Sequence, residues 1–111
     1  MSSAPLARPT VGTVVLNPDE TEWQSTDTPG FWLRPLLDDG HGGTTSLMKL
    51  DPGASAGLHS HDRLEEIVVL SGEFHDEQHS YPAGHYCVRA IGESHTAASV
   101  SGCVVLLIYR P

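Results

Sequence analysis

The chain has 111 residues, enough for one compact domain around a single core and too few for two. Hydrophobic residues at 39% and charged residues at 18% exclude a disordered chain. Fourteen acidic against six basic residues give a formal charge of -8, and the basic residues Arg8, Arg34, Lys49, Arg63, Arg89 and Arg110 are scattered. No cluster therefore offers the counterion release that nucleic-acid or anionic-membrane binding needs, and a small-molecule partner fits better.

The segment Met1 to Pro9 has no apolar core of signal-peptide length, and no stretch reaches the ~20 apolar residues that span a bilayer, so the expectation is a cytoplasmic protein without a membrane partner. Residues 1–10 read as a loose N-terminal arm and residues 11–111 as the folded domain. Eleven glycines and eight prolines are spread as punctuation along the chain and interrupt almost every candidate helix. The longest uninterrupted stretch, Leu58 to Ser71, contains Ile67-Val-Val-Leu70, a β-branched run suited to a strand.

In chain order the pattern predicts strands near Thr13–Leu16, Phe31–Leu37, Thr44–Leu50, Glu65–Leu70, Glu73–His75, His85–Ala90, His95–Ser99 and Cys103–Tyr109. Turns fall at Asp38-Asp39-Gly40, Asp51-Pro52-Gly53 and Pro82-Ala83-Gly84. Eight short strands point to an all-β, single-domain jelly-roll barrel, which protects its edges and encloses an interior sized for one ligand or metal. Cys87 and Cys103 are too few for a disulfide scaffold and read as buried thiols.

The informative segment is Gly53-Ala-Ser-Ala-Gly-Leu-His59-Ser-His61-Asp-Arg-Leu-Glu65-Glu66. On a strand His59 and His61 point to one face, and Glu65, Ile67 and Val69 share their parity. One face can then carry two imidazoles and a carboxylate before it continues into apolar core. An HxH pair alone is a weak signal, equally suited to a surface pair beside an acidic turn. A second segment, Gly84-His-Tyr-Cys-Val-Arg-Ala90-Ile-Gly92-Glu-Ser-His95-Thr-Ala-Ala-Ser99, supplies one more histidine after a glycine-bounded turn.

Together the two segments resemble the two motifs of the cupin superfamily, the RmlC-like jelly rolls. The first cupin motif runs Gly, five residues, His, one residue, His, three or four residues, Glu, six residues, Gly. Gly53, His59, His61, Glu65 and Gly72 satisfy each interval. In the second motif Gly84, Gly92 and His95 fall in place, while Ala90 stands where cupins have Pro and Ser99 where they have Asn. The resemblance implies a divalent metal held by His59, His61, Glu65 and His95. Glu66 is the rival carboxylate, since a four-residue gap is also allowed, but only Glu65 stands seven positions before Gly72. Three imidazoles and a carboxylate suit Fe2+ or Zn2+, and also Mn2+, Ni2+ or Co2+, because no thiolate narrows the choice.

Glu65 to Glu77, followed by Tyr81-Pro-Ala-Gly84, is similar to the small cupin domains of ChrR-type anti-sigma factors, which implies a zinc or ligand sensor. Those regulators hold their sigma factor through a separate N-terminal helical domain, for which this chain has no room. The same subgroup resembles small diketone dioxygenases that work as freestanding domains. The resemblance therefore implies a metal-dependent oxygenase or lyase acting on a small chelating organic substrate, with a non-catalytic sensor as the alternative, and it implies a homodimer. Tyr86 and Arg89, with Trp32 and Tyr109, are candidates to shape or polarise the pocket behind the ligands. Met48 and Phe74 read as packing, and His41, His75, His79 and His85 as solvated residues without a role.

Overall fold

A computed structural model describes residues 5–111 of the chain, so residues 1–4 of the expected arm lie outside the described residues. Ten strands follow in order: β1 (Leu6–Ala7), β2 (Gln24–Ser25), β3 (Phe31–Asp38), β4 (Thr44–Leu50), β5 (Ser55–His59), β6 (Leu64–His75), β7 (Ser80–Pro82), β8 (Tyr86–Arg89), β9 (His95–Ala98) and β10 (Cys103–Arg110). The helical content of the described residues is one 3-10 turn at Pro18–Glu20, capped by the Asn17 side chain, which accepts from the Asp19 N–H. The architecture is the all-β jelly roll that the punctuation predicts. Leu6 and Ala7, within the expected arm, pair in parallel with Leu37 and Asp38 of β3.

One sheet runs β1-β3-β4-β10-β6, with β2 on β3 and β8 on the outer side of β6. The second is built from β5, β9, the far end of β6 and β7. Both sheets share β6, and their inner faces meet in a core that includes Phe31, Leu50, Ile67, Val69, Phe74, Val105 and Leu107. The inward residues alternate along β10 as Cys103, Val105 and Leu107, the period-2 pattern of a strand with one face on the core.

Where the strands deviate, the sequence supplies the cause. Pro35 lies inside β3, which lacks one ladder donor there, and the register against β4 shifts between Pro35 and Leu37. The two strands expected at Glu65–Leu70 and Glu73–His75 are one strand, β6, which changes sheets at Gly72. Gly72 has φ +75, and a Cβ there would meet the Gly102 carbonyl oxygen at 2.1 Å, so the crossing requires glycine. The strand expected at Thr13–Leu16 is absent. Val14 and Val15 are exposed, and a β-branched run without a facing surface gains nothing from an extended ladder.

Candidate metal centre

Three histidines converge at one end of the jelly-roll interior. His59 ends β5 and stands directly opposite His95, the first residue of β9, which sets their rings 4.5 Å apart between centroids. His61 lies past the end of β5, so the expectation that a strand aligns the HxH pair holds for His59 alone. His61 reaches the cluster from the following bend, where the Gly92 N–H donates to the His61 carbonyl at 2.8 Å. The second glycine-bounded turn thereby anchors the first motif. The His61 ring is 5.1 Å from that of His59 and 5.8 Å from that of His95. One nitrogen from each of the three lies within 4.8 Å of the others.

The donor chemistry of this cluster fits a metal ion. The His59 Nδ1 lies 2.6 Å from the Gly57 carbonyl oxygen and the His95 Nδ1 3.3 Å from that of Glu93. A carbonyl only accepts, so in the neutral ring Nδ1 carries the proton and Nε2 keeps its lone pair. Burial pushes the pKa of both His61 and His95 down, against the opposing pull of Glu65. The Arg89 charge lowers His95 further. Neutral imidazoles at pH 7 are the form that ligates.

The cluster whose ligand atoms lie within 4.8 Å of one another is formed by the three histidines, and Glu65 lies beside it. It is the first of three alternating buried residues on β6, ahead of Ile67 and Val69, and its side chain is buried while its neighbour Glu66 faces outward. Its Oε2 is 3.3 Å from the His61 Nε2, and its Oε1 is 3.5 Å from the His95 Nε2. The same carboxylate accepts from Arg89 Nε at 3.0 Å and from the Tyr109 hydroxyl at 2.9 Å. Burial first, and then the Glu65 charge, raise the Tyr109 pKa, so the phenol stays a donor. Glu66 instead pairs with Arg110 and accepts from Tyr86 at 2.6 Å on the outer face.

The cluster lines a cavity of about 570 Å3 inside the jelly roll. Beyond the histidines, Glu65 and Tyr109, its wall is mostly apolar: Phe31, Leu33, Met48, Ile67, Phe74 and Leu107, with the segment Thr26–Pro29 beside them. Trp32 and Tyr86 do not line it. The Trp32 indole donates to Asp51 at 3.1 Å, and Tyr86 is exposed. Arg89 stands behind Glu65 and outside the cavity wall. Cys103 is buried, Cys87 is half-buried, and burial raises both thiols.

Asp76 was not legible as a site residue. It is buried just past β6, and its Oδ2 meets Arg89 Nη1 at 2.8 Å. Inward residues are odd-numbered from Glu65 to Val69 and even-numbered at Phe74 and Asp76, because the β-bulge and Gly72 shift the parity. Periodicity carried across that point assigns Asp76 to the solvent.

The model of the ChrR cupin-like domain family matches residues 11–111. The chain belongs to this family. An RmlC-like cupin of Shewanella frigidimarina superimposes on this cupin with a TM-score of 0.80 at 20% identity, over 90% of this chain and 92% of the other. The anti-sigma factor ChrR in complex with Rhodobacter sphaeroides SigE gives a TM-score of 0.72 at 24% identity, over 82% of this chain and 50% of that one. At these identities the likeness concerns the fold. In sequence, an oxalate-binding protein of Thermotoga maritima is 48% identical over 54 residues. That stretch is 44% of the cupin and spans 45% of the length of the relative.

Proposed function

We propose that this cupin is a metal-dependent oxygenase or lyase acting on a small organic molecule that chelates the ion through oxygen atoms. The observation that carries the reading is the set of three imidazoles opening onto a cavity of about 570 Å3 with a mostly apolar wall. Ligand sites of roughly 300–1,000 Å3 take molecules of drug size or smaller. His59, His61, His95 and Glu65 would hold the ion. A divalent ion there supplies a Lewis acid that polarises a bound oxygen.

The protein's own residues narrow the ligand. Among the described residues no Lys or Arg lines the cavity, and Arg89 is committed to Glu65 and Asp76. A dianion would find only the ion itself to balance its charge, whereas a neutral or singly charged chelator with an apolar body matches the wall. Diketones and phenolic ketones have that form. The Thermotoga relative favours a second reading, a small dicarboxylate, and the ChrR likeness a sensor.

Apo protein reconstituted anaerobically with Fe(II), Mn(II), Ni(II) or Zn(II) separates these readings when oxygen uptake, product formation and absorbance at the metal are followed. Turnover of a diketone or phenolic ketone is the expected result. Turnover of oxalate alone would replace the first reading with the second. Saturable spectral change with no product from any compound would move the protein to the sensors.

A further inference from the structure

Arg89 is buried between two carboxylates, its side chain 10% exposed. Its Nε donates to Glu65 Oε1 at 3.0 Å and its Nη1 to Asp76 Oδ2 at 2.8 Å. Asp76 is held in turn: Oδ1 accepts the Gln78 and His79 N–H groups, each at 2.8 Å, and Oδ2 accepts the Tyr81 hydroxyl at 2.8 Å. The second oxygen of Glu65 takes the Tyr109 hydroxyl at 2.9 Å. All four carboxylate oxygens therefore have fixed donors, and the chain of contacts runs from the turn after β6 through β8 to the metal centre.

Stability alone does not account for this arrangement. Removing an ion pair from water costs several kcal/mol per ion, and apolar residues of like volume often do as well or better. Arg89 also leaves Nη2 buried without a hydrogen-bond partner among the described residues. The planar guanidinium is well suited to orientation, because two nitrogens engaged on two anchored carboxylates fix its plane and position. Arg89 does not line the central cavity, so its influence on a bound ion passes through Glu65.

We propose that Arg89, clamped by Asp76, is a positioning residue that fixes the carboxylate of Glu65 for the metal centre. The inference rests on the reading of Glu65 as a metal ligand.

Titration with Co(II), read by its visible absorption, tests it in the wild type, Glu65→Gln, Arg89→Gln, Arg89→Lys, Asp76→Asn and the double variant Glu65→Gln/Arg89→Gln. Arg89→Gln is expected to weaken Co(II) binding about 10-fold or more and to alter the absorption bands, as loss of a partner behind a ligand typically does. Arg89→Lys should recover part of the affinity. In the Glu65→Gln background, Arg89→Gln should add less than about twofold, since residues acting as one unit do not add. Should Arg89→Gln fail to fold by circular dichroism, Asp76→Asn bears the same comparison, with a smaller loss and the same altered bands. The inference is overturned if Glu65→Gln weakens binding while the folded Arg89 and Asp76 variants keep wild-type affinity and bands. An equal loss from Arg89→Gln with and without Glu65 overturns it as well. Wild-type binding by Glu65→Gln would remove Glu65 from the ligand set and the inference with it.

Discussion

Asp76 shows how much of this site is held by residues that never face the cavity. Burial alone would raise its pKa, but the N–H groups of Gln78 and His79, with Arg89 and Tyr81, outweigh that and bring it to about 2. Burial first, and then the same carboxylate, raise Tyr81 to about 12, so the phenol remains a donor. A folded pKa below the ordinary 3.8 stabilises the protein fully above about pH 4, and that contribution disappears as pH falls through about 2. The urea midpoint of the wild type should therefore exceed that of Asp76→Asn at pH 5, with the gap closing toward pH 2; a gap that does not change with pH would contradict the assignment. The inward placement of Glu65 was legible because its parity matches the core residues Ile67 and Val69, and its preference over Glu66 came from its interval to Gly72. Arg89 was legible only as a candidate, since nothing in its own segment reveals that Asp76 lies across from it.

Among the elements, β6 links the fold to the site. Its first half presents Glu65, Ile67 and Val69 to the interior, and its second half, displaced by the bulge and Gly72, presents Phe74. Two strands were legible here because Ser71-Gly72 interrupts the apolar run; that they form one strand crossing between sheets depends on the close passage of Gly102, which pattern does not reveal. Gly72→Ala must place a methyl against that backbone oxygen at positive φ, and neither neighbour is a flexible side chain. A loss of about 1–3 kcal/mol or more is expected in urea unfolding, and a loss under roughly 0.5 kcal/mol, the scale of an ordinary surface change, would show that the crossing relaxes. The HxH pair is a similar case. Its spacing was legible, but His61 owes its place to the bond between its carbonyl and Gly92, a contact between two turns far apart in sequence.

At the scale of the molecule, the interior of the jelly roll is divided between a packed core and a cavity that ends at the histidines. The strand pattern and the intervals of the two histidine segments made the fold legible. The shape of the cavity was not, because it depends on which way Phe31, Leu33, Met48 and Leu107 turn once the sheets meet. An ion that binds only the folded chain stabilises it by mass action, about 2.7 kcal/mol at 100 times its dissociation constant. For a domain of this size that is a rise in Tm of roughly 10 °C. The rise should be seen on adding the metal to the wild type and be absent in His95→Ala; equal rises in both would place the ion elsewhere.

Metal content after anaerobic purification and dialysis against a mild chelator, measured by mass spectrometry for the wild type, His61→Ala and His95→Ala, tests the metal centre most directly. The account predicts close to one divalent ion per chain in the wild type and a largely empty site in both variants, each still folded by circular dichroism. Full occupancy in both variants, or a wild type that retains no ion under any loading, would contradict it.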